Sequence, residues 1–272
     1  MFKHNKSLGR LGAVAIAAVV AVVSPPVQAG GPDYGASMKD ALAPTADQWA
    51  GHWLVRLRAT YLKMEDGIDS AALQPGLGGA FGNPTPIPGT EANISNAIIP
   101  ELDITYFLTN NLAVEVICCV TKHDVDAEGQ LFNNVNGAAN LLGVPGSGKE
   151  LGSAWAIPAT LLLQYHMELG SGFKPYVGAG PTYAFFVAED VGGLLSGAAS
   201  KLKVDNGWGF TLQAGADMAI GNNLYLNADV KKMFLKSDAT WTGQGPLAGQ
   251  ALVAKDLDFS PWIFSVGIGM KF

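Results

Sequence analysis

The chain has 272 residues, of which 49% are hydrophobic and only 15% charged, with 34 glycines, 2 cysteines and a net charge of −6. It is too apolar to remain disordered, too poor in cysteine for a disulfide-stapled secreted domain, and too acidic to meet nucleic-acid phosphates. Such a composition must bury a large core or turn apolar side chains toward lipid.

Lys3, Lys6 and Arg10 precede an unbroken apolar run from Leu11 to Val23, and Pro25, Pro26 and the small-residue stretch Val27-Gln28-Ala29 follow. This order is that of a secretory signal peptide over 1–29, cleaved after Ala29. The run is too short to cross about 30 Å of hydrocarbon as a helix. Cleavage removes three basic residues, so 17 less 3 leaves 14 against 23 acidic ones, a net of −9. A periplasmic N-terminal segment is expected over 30–48, and the folded domain over 49–272.

No later stretch supplies the ~20 apolar residues of a spanning helix. From Trp53 onward the pattern has period two. Trp53, Val55, Leu57, Ala59 and Tyr61 alternate with His52, Leu54, Arg56, Arg58 and Thr60. Leu102, Ile104, Tyr106 and Leu108 alternate with Glu101, Asp103, Thr105 and Phe107, up to a Thr109-Asn110-Asn111 turn. Leu112 to Val120 forms a third run, with Cys118 and Cys119 on opposite faces, which prevents an easy bridge between them. Ala154 to Glu168 forms a fourth, Tyr176 to Phe185 a fifth, Trp208 to Met218 a sixth, Leu224 to Lys231 a seventh and Trp262 to Phe272 an eighth.

Short turns are expected at 109–111, 169–172 and 221–223, and long loops near 66–97, 122–153, 188–206 and 236–256. An even strand count with alternating short turns and long loops marks an eight-stranded antiparallel transmembrane β-barrel, its turns periplasmic and its loops extracellular. The alternation is inverted relative to a soluble barrel. One face is almost wholly apolar, and the other mixes Gly178, Gly180, Gly267, Asp217 and Asp229. That second face suits a narrow lumen, where space is short and charges pair across it.

Strand direction sorts the inward residues by height, because the chain enters from the periplasm. Leu62, Met64, Ile99, Ala156, Leu162, Phe186, Met233, Leu235, Leu257, Phe259 and Ile263 fall in the upper half as a hydrophobic lumen. Arg56, Glu115, Gln164, His166, Asp217, Asn227, Asp229 and Lys271 fall in the lower half as a polar floor, with Glu101 and Lys231 nearer mid-height. A charged floor leaves no open water pore, so anything entering from above must leave sideways into lipid. Pro158, Pro181 and Pro261 each remove a ladder donor and mark either a lateral gap or the upper edge of the sheet. His123-Asp124 near the rim suits a barrel hydrolase only with a serine beside it. Gly143 to Lys149 is loosely like a phosphate loop but lacks a following strand–helix unit. No metal-ligand spacing is present, and neither a cofactor nor an enzymatic role is expected.

Several segments together resemble the OmpW family of outer-membrane proteins. They are Trp53-Leu54-Val55-Arg56, Leu112-Ala113-Val114-Glu115, Phe173 to Gly180 with Tyr183, Asn223 to Val230, and Pro261 to Phe272. The adjacent cysteines depart from that pattern. The resemblance implies a small barrel with a hydrophobic lumen that passes small apolar molecules inward across the bacterial outer membrane. It also implies that Phe272 carries part of the signal read by the barrel assembly machinery. Some members of the family serve as bacteriocin receptors. The expected partners are therefore outer-membrane lipids, small hydrophobic molecules and that machinery. The alternative is a structural or recognition barrel whose loops do the work and whose lumen is inert.

Overall fold

The structure, a computed structural model, describes residues 48–65, 67–74, 83–89, 91–169 and 172–272. The expected signal peptide and the periplasmic segment, Gln48 excepted, lie outside the described residues, as do Gly170 and Ser171 of the second turn. No described helix is long and apolar enough to cross a membrane.

Eight antiparallel staves close on themselves. In chain order they are β1 (Trp53–Lys63), β5 (Ala97–Phe107), β6 (Leu112–Cys118) continued by β7 (Thr121–Ala127), β8 (Glu150–His166), β9 (Phe173–Val191), β11 (Gly207–Gly221), β12 (Leu224–Phe234) and β15 (Trp262–Lys271). Closure comes from β15 pairing back onto β1, from Leu54↔Lys271 to Lys63↔Trp262. A closed ring leaves no unpaired edge, the condition for strands in lipid.

The period-two pattern fixes which face looks out. Leu57 is 58% exposed and Val266 61%, whereas Arg56, Asp103, Glu115 and Asp217 are 0% exposed. An apolar belt on the outside with charges sealed inside needs hydrocarbon around it. Thr109 Oγ1 accepts the backbone N–H groups of Asn111 and Leu112 (3.2 and 2.9 Å), which closes the first short turn. Asn223 takes a left-handed φ of 63° in the third, a conformation asparagine tolerates.

The lumen is narrow enough that glycine is required where large side chains cross it. A Cβ on Gly215 would lie 2.6 Å from the Tyr176 ring, and one on Gly178 would lie 2.9 Å from Gln213 Oε1.

The long connections are not irregular loops, as the sequence pattern suggested. Strands β8 and β9 run 17 and 19 residues, well beyond the ~10 that cross a bilayer. Above the barrel a second sheet runs in the order β10 (Ala199–Val204), β13 (Lys236–Gly243), β14 (Ala251–Asp258), β2 (Ser70–Gln74), β3 (Thr85–Ile87). The short β4 (Ala92–Ile94) pairs with β7, and helix α1 (Gly129–Leu141) lies in the same connection as β7. Two residues at positive φ, Ala188 and Asp256, sit at register shifts of β9 and β14. Bulges of this kind bend strands at a barrel rim. The apolar interior is thus continuous from Leu62 and Ile263 up to Leu202 and Trp241.

Candidate functional site

The lumen is layered along its axis. At the periplasmic end Trp49, Leu54, Phe107, Ala113 and Tyr225 form a compact apolar plug. Trp49 is drawn under the barrel because its N–H, and that of Ala50, both donate to Asn110 Oδ1 at 3.0 Å. Two cations lie against the plug. Lys174 Nζ and Lys271 Nζ are 4.6 and 4.7 Å from the Trp49 ring centroid. Lys271, expected among the floor charges, is buried at the lowest register pair, opposite Leu54, below the ion pairs of Arg56 and Arg58. His166 is stacked between Phe107 and Tyr176, with Nε2 3.0 Å from Gln164 Oε1.

Above the plug lies the charged layer. The Arg56 guanidinium donates to both Asp217 oxygens (3.0 and 2.6 Å) and to Glu115 Oε1 (2.9 Å). One residue pair higher, Arg58 meets Glu101 at 2.8 Å, Asp103 at 2.5 Å, and Asp229. Lys231 bridges Glu101 (2.8 Å) and Asp229 (3.3 Å). Arg58 thus joins more carboxylates than any residue named for the floor. Its signal was plain in the sequence, two positions after Arg56 on the same face. A hydroxyl belt follows, with Thr60 to Ser265 at 2.9 Å, Thr160 to Thr182 at 2.8 Å and Thr182 to Thr211 at 2.7 Å. These bonds pair hydroxyls of neighbouring staves with one another.

Over that belt is a cavity of about 40 Å³. Its walls include Leu62, Met64, Ile99, Ala156, Met233, Leu235 and Ile263, with Phe186 and Phe259 above and Glu101 and Lys231 below. The two phenylalanine rings stack with centroids 4.8 Å apart. Leu257 lies beyond them and lines a second, smaller space of about 10 Å³ together with the same two rings. Leu162 is not part of the cavity lining. It points inward, but it stands opposite Glu115, level with the charged layer. The reason is that β8 starts as far up as Glu150, which places position 162 low on the descending stave.

One wall of the cavity is incompletely zipped. The β5–β6 ladder ends at Leu102↔Cys118. Above it Ala97–Glu101 pair with β1 alone, and pairing resumes only at Ile94↔Val125. On the other side of the same stave, the β8 ladder skips from Cys118↔Ala159 to Thr121↔Ala156, which leaves Pro158 opposite the break. Pro100 and Pro158 therefore flank a seam at Cys119–Val120, where missing N–H donors prevent pairing. Cys119 faces the cavity through this seam, and Cys118 faces out. Pro181 is in register opposite Phe210 on its β11 side, but on its β8 side the ladder skips from Thr160↔Thr182 to Leu163↔Ala179; Pro261 precedes β15.

At the rim, His123 Nδ1 is 2.9 Å from the Ser95 carbonyl oxygen, while the Ser95 hydroxyl accepts from Asp124 N–H. The hydroxyl is thus engaged by backbone rather than by the imidazole. No group of three or more metal-ligating side chains occurs among the described residues.

The chain matches the OmpW family model over residues 51–272. It is 32% identical over 224 residues to the Sinorhizobium fredii outer-membrane protein y4mB, covering 81% of this chain and 80% of that one. It is 26% identical over 187 residues to the Pseudomonas aeruginosa dibenzothiophene metabolism operon protein PahQ, covering 68% and 77% of the two chains. Among solved structures it is similar to the Pseudomonas aeruginosa outer-membrane protein OprG, with a TM-score of 0.66 and 25% identity over 82% of this chain and 96% of that one.

Proposed function

The chain belongs to the OmpW family of outer-membrane barrels, and we propose that it is a passive conduit for small hydrophobic molecules. In this reading they enter from outside, rest in the apolar cavity and leave sideways through the seam at Cys119–Val120.

The observation that carries this reading is the cavity's surroundings. Its floor is a sealed layer of ion pairs on an aromatic plug, and its side wall lacks ladder bonds beside Pro100 and Pro158. An apolar molecule cannot cross the charges below without stripping partners from buried ions. The outer surface of the seam is lipid, where the same molecule is equally at home. The similarity to PahQ, a dibenzothiophene metabolism operon protein, supports the same substrate class, since dibenzothiophene is an apolar aromatic compound.

The test is tracer entry into liposomes carrying the purified protein, compared with a variant in which Pro100→Val and Pro158→Val restore both donors. We expect the wild-type protein to speed entry of naphthalene, and the zipped variant to lose that gain while remaining heat-modifiable. No gain over protein-free liposomes would favour the recognition-barrel alternative. An undiminished gain in the zipped variant would remove the sideways exit.

A further inference from the structure

Outside the lumen the cap holds a second apolar chamber, of about 70 Å³. It lies between the inner face of α1, at Val135 and Ala139, and the five-stranded sheet, at Leu73, Trp241 and Leu252. Trp241 is 2% exposed, and its indole N–H donates to the Leu151 carbonyl at 2.8 Å, so the ring is a fixed wall. The other side of that wall is the ~10 Å³ space, whose far wall is the Phe186–Phe259 stack. The same stack roofs the lumen cavity. Three apolar spaces therefore follow one another, separated by two aromatic partitions.

The roof of the outer chamber is weakly held. Helix α1 has the sequence GQLFNNVNGAANL, with no side-chain cap bond, no acid in its first turn and no base in its last. Four asparagines and Gly137 are poor helix formers, so what holds its ends is the Glu91 carboxylate on the Leu131 N–H (3.4 Å) and the left-handed Gly143, after which the Val144 N–H returns to the Ala139 carbonyl (2.9 Å). Its buried anchors are only Leu131, Val135 and Ala139. Asn134 Nδ2 ties it to the Pro88 carbonyl at 2.6 Å. Segments with few buried contacts open at small cost. An apolar space of this kind stays dry and gains contacts when an apolar molecule fills it.

We propose that this chamber is an outer capture site for small hydrocarbons, with α1 as its lid and Trp241 as the partition toward the lumen. The proposal rests on the uptake reading above and adds a site outside the lumen. Engineered cavities that take benzene are roughly 150 Å³, larger than the 70 Å³ found here. The lid must therefore shift as the ligand enters.

The test is a benzene titration of the isotope-labelled full chain in lipid nanodiscs, read by nuclear magnetic resonance. The expected result is a saturable shift of the Trp241 indole signal and of the Val135 and Ala139 amides. The lipid-facing Trp208 indole should drift without saturating. Ala139→Leu fills the chamber and should abolish the Trp241 shift while sparing a saturable shift at Met233 in the lumen. If that variant does not assemble, Ala198→Leu fills the chamber from the opposite wall and decides the point. A silent Trp241 indole alongside a responsive Met233 would overturn the capture site and leave uptake standing. A responsive Trp241 with a silent Met233 would strike at the lumen reading instead. A Trp241 shift that persists in a folded chamber-filled variant would also refute the proposal.

Discussion

Replacing Arg56 with methionine tests the charged layer directly. The side chain is 0% exposed and makes four bonds, two to Asp217, one to Glu115 and one to Thr105 Oγ1 at 2.8 Å. Methionine fills much of the same space, so the loss is electrostatic rather than steric. Three cations, Arg56, Arg58 and Lys231, serve five carboxylates, Glu101, Asp103, Glu115, Asp217 and Asp229, so no spare cation stands ready. Breaking a buried pair by removing one partner costs about 3–5 kcal/mol. That is roughly a 10²- to 4 × 10³-fold fall in the folding equilibrium. Urea unfolding of the barrel refolded into vesicles measures it, with loss of heat-modifiable mobility as the second readout. A triple variant, Arg56→Met with Asp217→Asn and Glu115→Gln, removes the orphaned charges and should recover most of the loss. A single variant within about 0.5 kcal/mol of wild type, the scale of ordinary surface changes, would refute the buried-pair account. So would a triple variant less stable than the single one.

Met233→Asp should block entry of an apolar tracer while the barrel still assembles, because Met233 lines the cavity, whereas Leu161→Asp, on a side chain 49% exposed toward lipid, should lower assembly and leave the surviving barrels conductive. Deleting Phe272 should reduce the heat-modifiable species in outer membranes, since its N–H and C=O pair with Trp53 (2.8 and 3.1 Å) and close the barrel at its base; unchanged levels would count against any role in assembly. In the extracellular sheet, partial burial would lift the Asp238 carboxyl, but bonds from Lys255 and from the Asp256 N–H outweigh it and hold the group below 3.8. A carboxylate held down stabilises the fold above its unfolded value and loses that contribution as pH falls from 3.8 through the lower folded value, so pepsin should nick 236–258 more readily across that window, and Asp238→Asn should flatten the dependence.

The staves were legible because period two survives along each of them. Leu212 and Gln213, or Val266 and Gly267, declare their faces without any partner in view. The plug was not legible. Trp49 precedes the first strand and is held by Asn110, a contact across 61 residues that no local pattern encodes. The extracellular sheet failed for the same reason, since Leu73 pairs with Leu252 and the β3 strand is only three residues long. Short segments with distant partners carry no periodicity to detect. The seam falls between these cases. Pro158 was visible as a missing donor, but Pro100 mattered equally and stood inside a run that otherwise read as a strand. Only the register places the two prolines on opposite flanks of the same two residues.

The size of the lumen cavity bears on what kind of site it is. Ligand pockets for tight binding run to about 300–1,000 Å³, and the space here is about 40 Å³. An eight-stranded barrel cannot widen its ring, so room must come from side chains and from the seam. Met64 and Met233 supply the first, because an unbranched thioether repacks at small cost. The stretch Ala97–Glu101, paired with β1 but not with β6, supplies the second. Each adjustment takes back part of the roughly 25 cal/mol per Å² gained when apolar surface leaves water. The net well is therefore shallow. A shallow well is the right depth for a conduit, in which a molecule must bind well enough to enter and weakly enough to leave. On the proposed conduit reading, filling the cavity and enlarging it should both slow passage, and for opposite reasons: the first removes the well, and the second deepens it past the point where lipid can draw the molecule out.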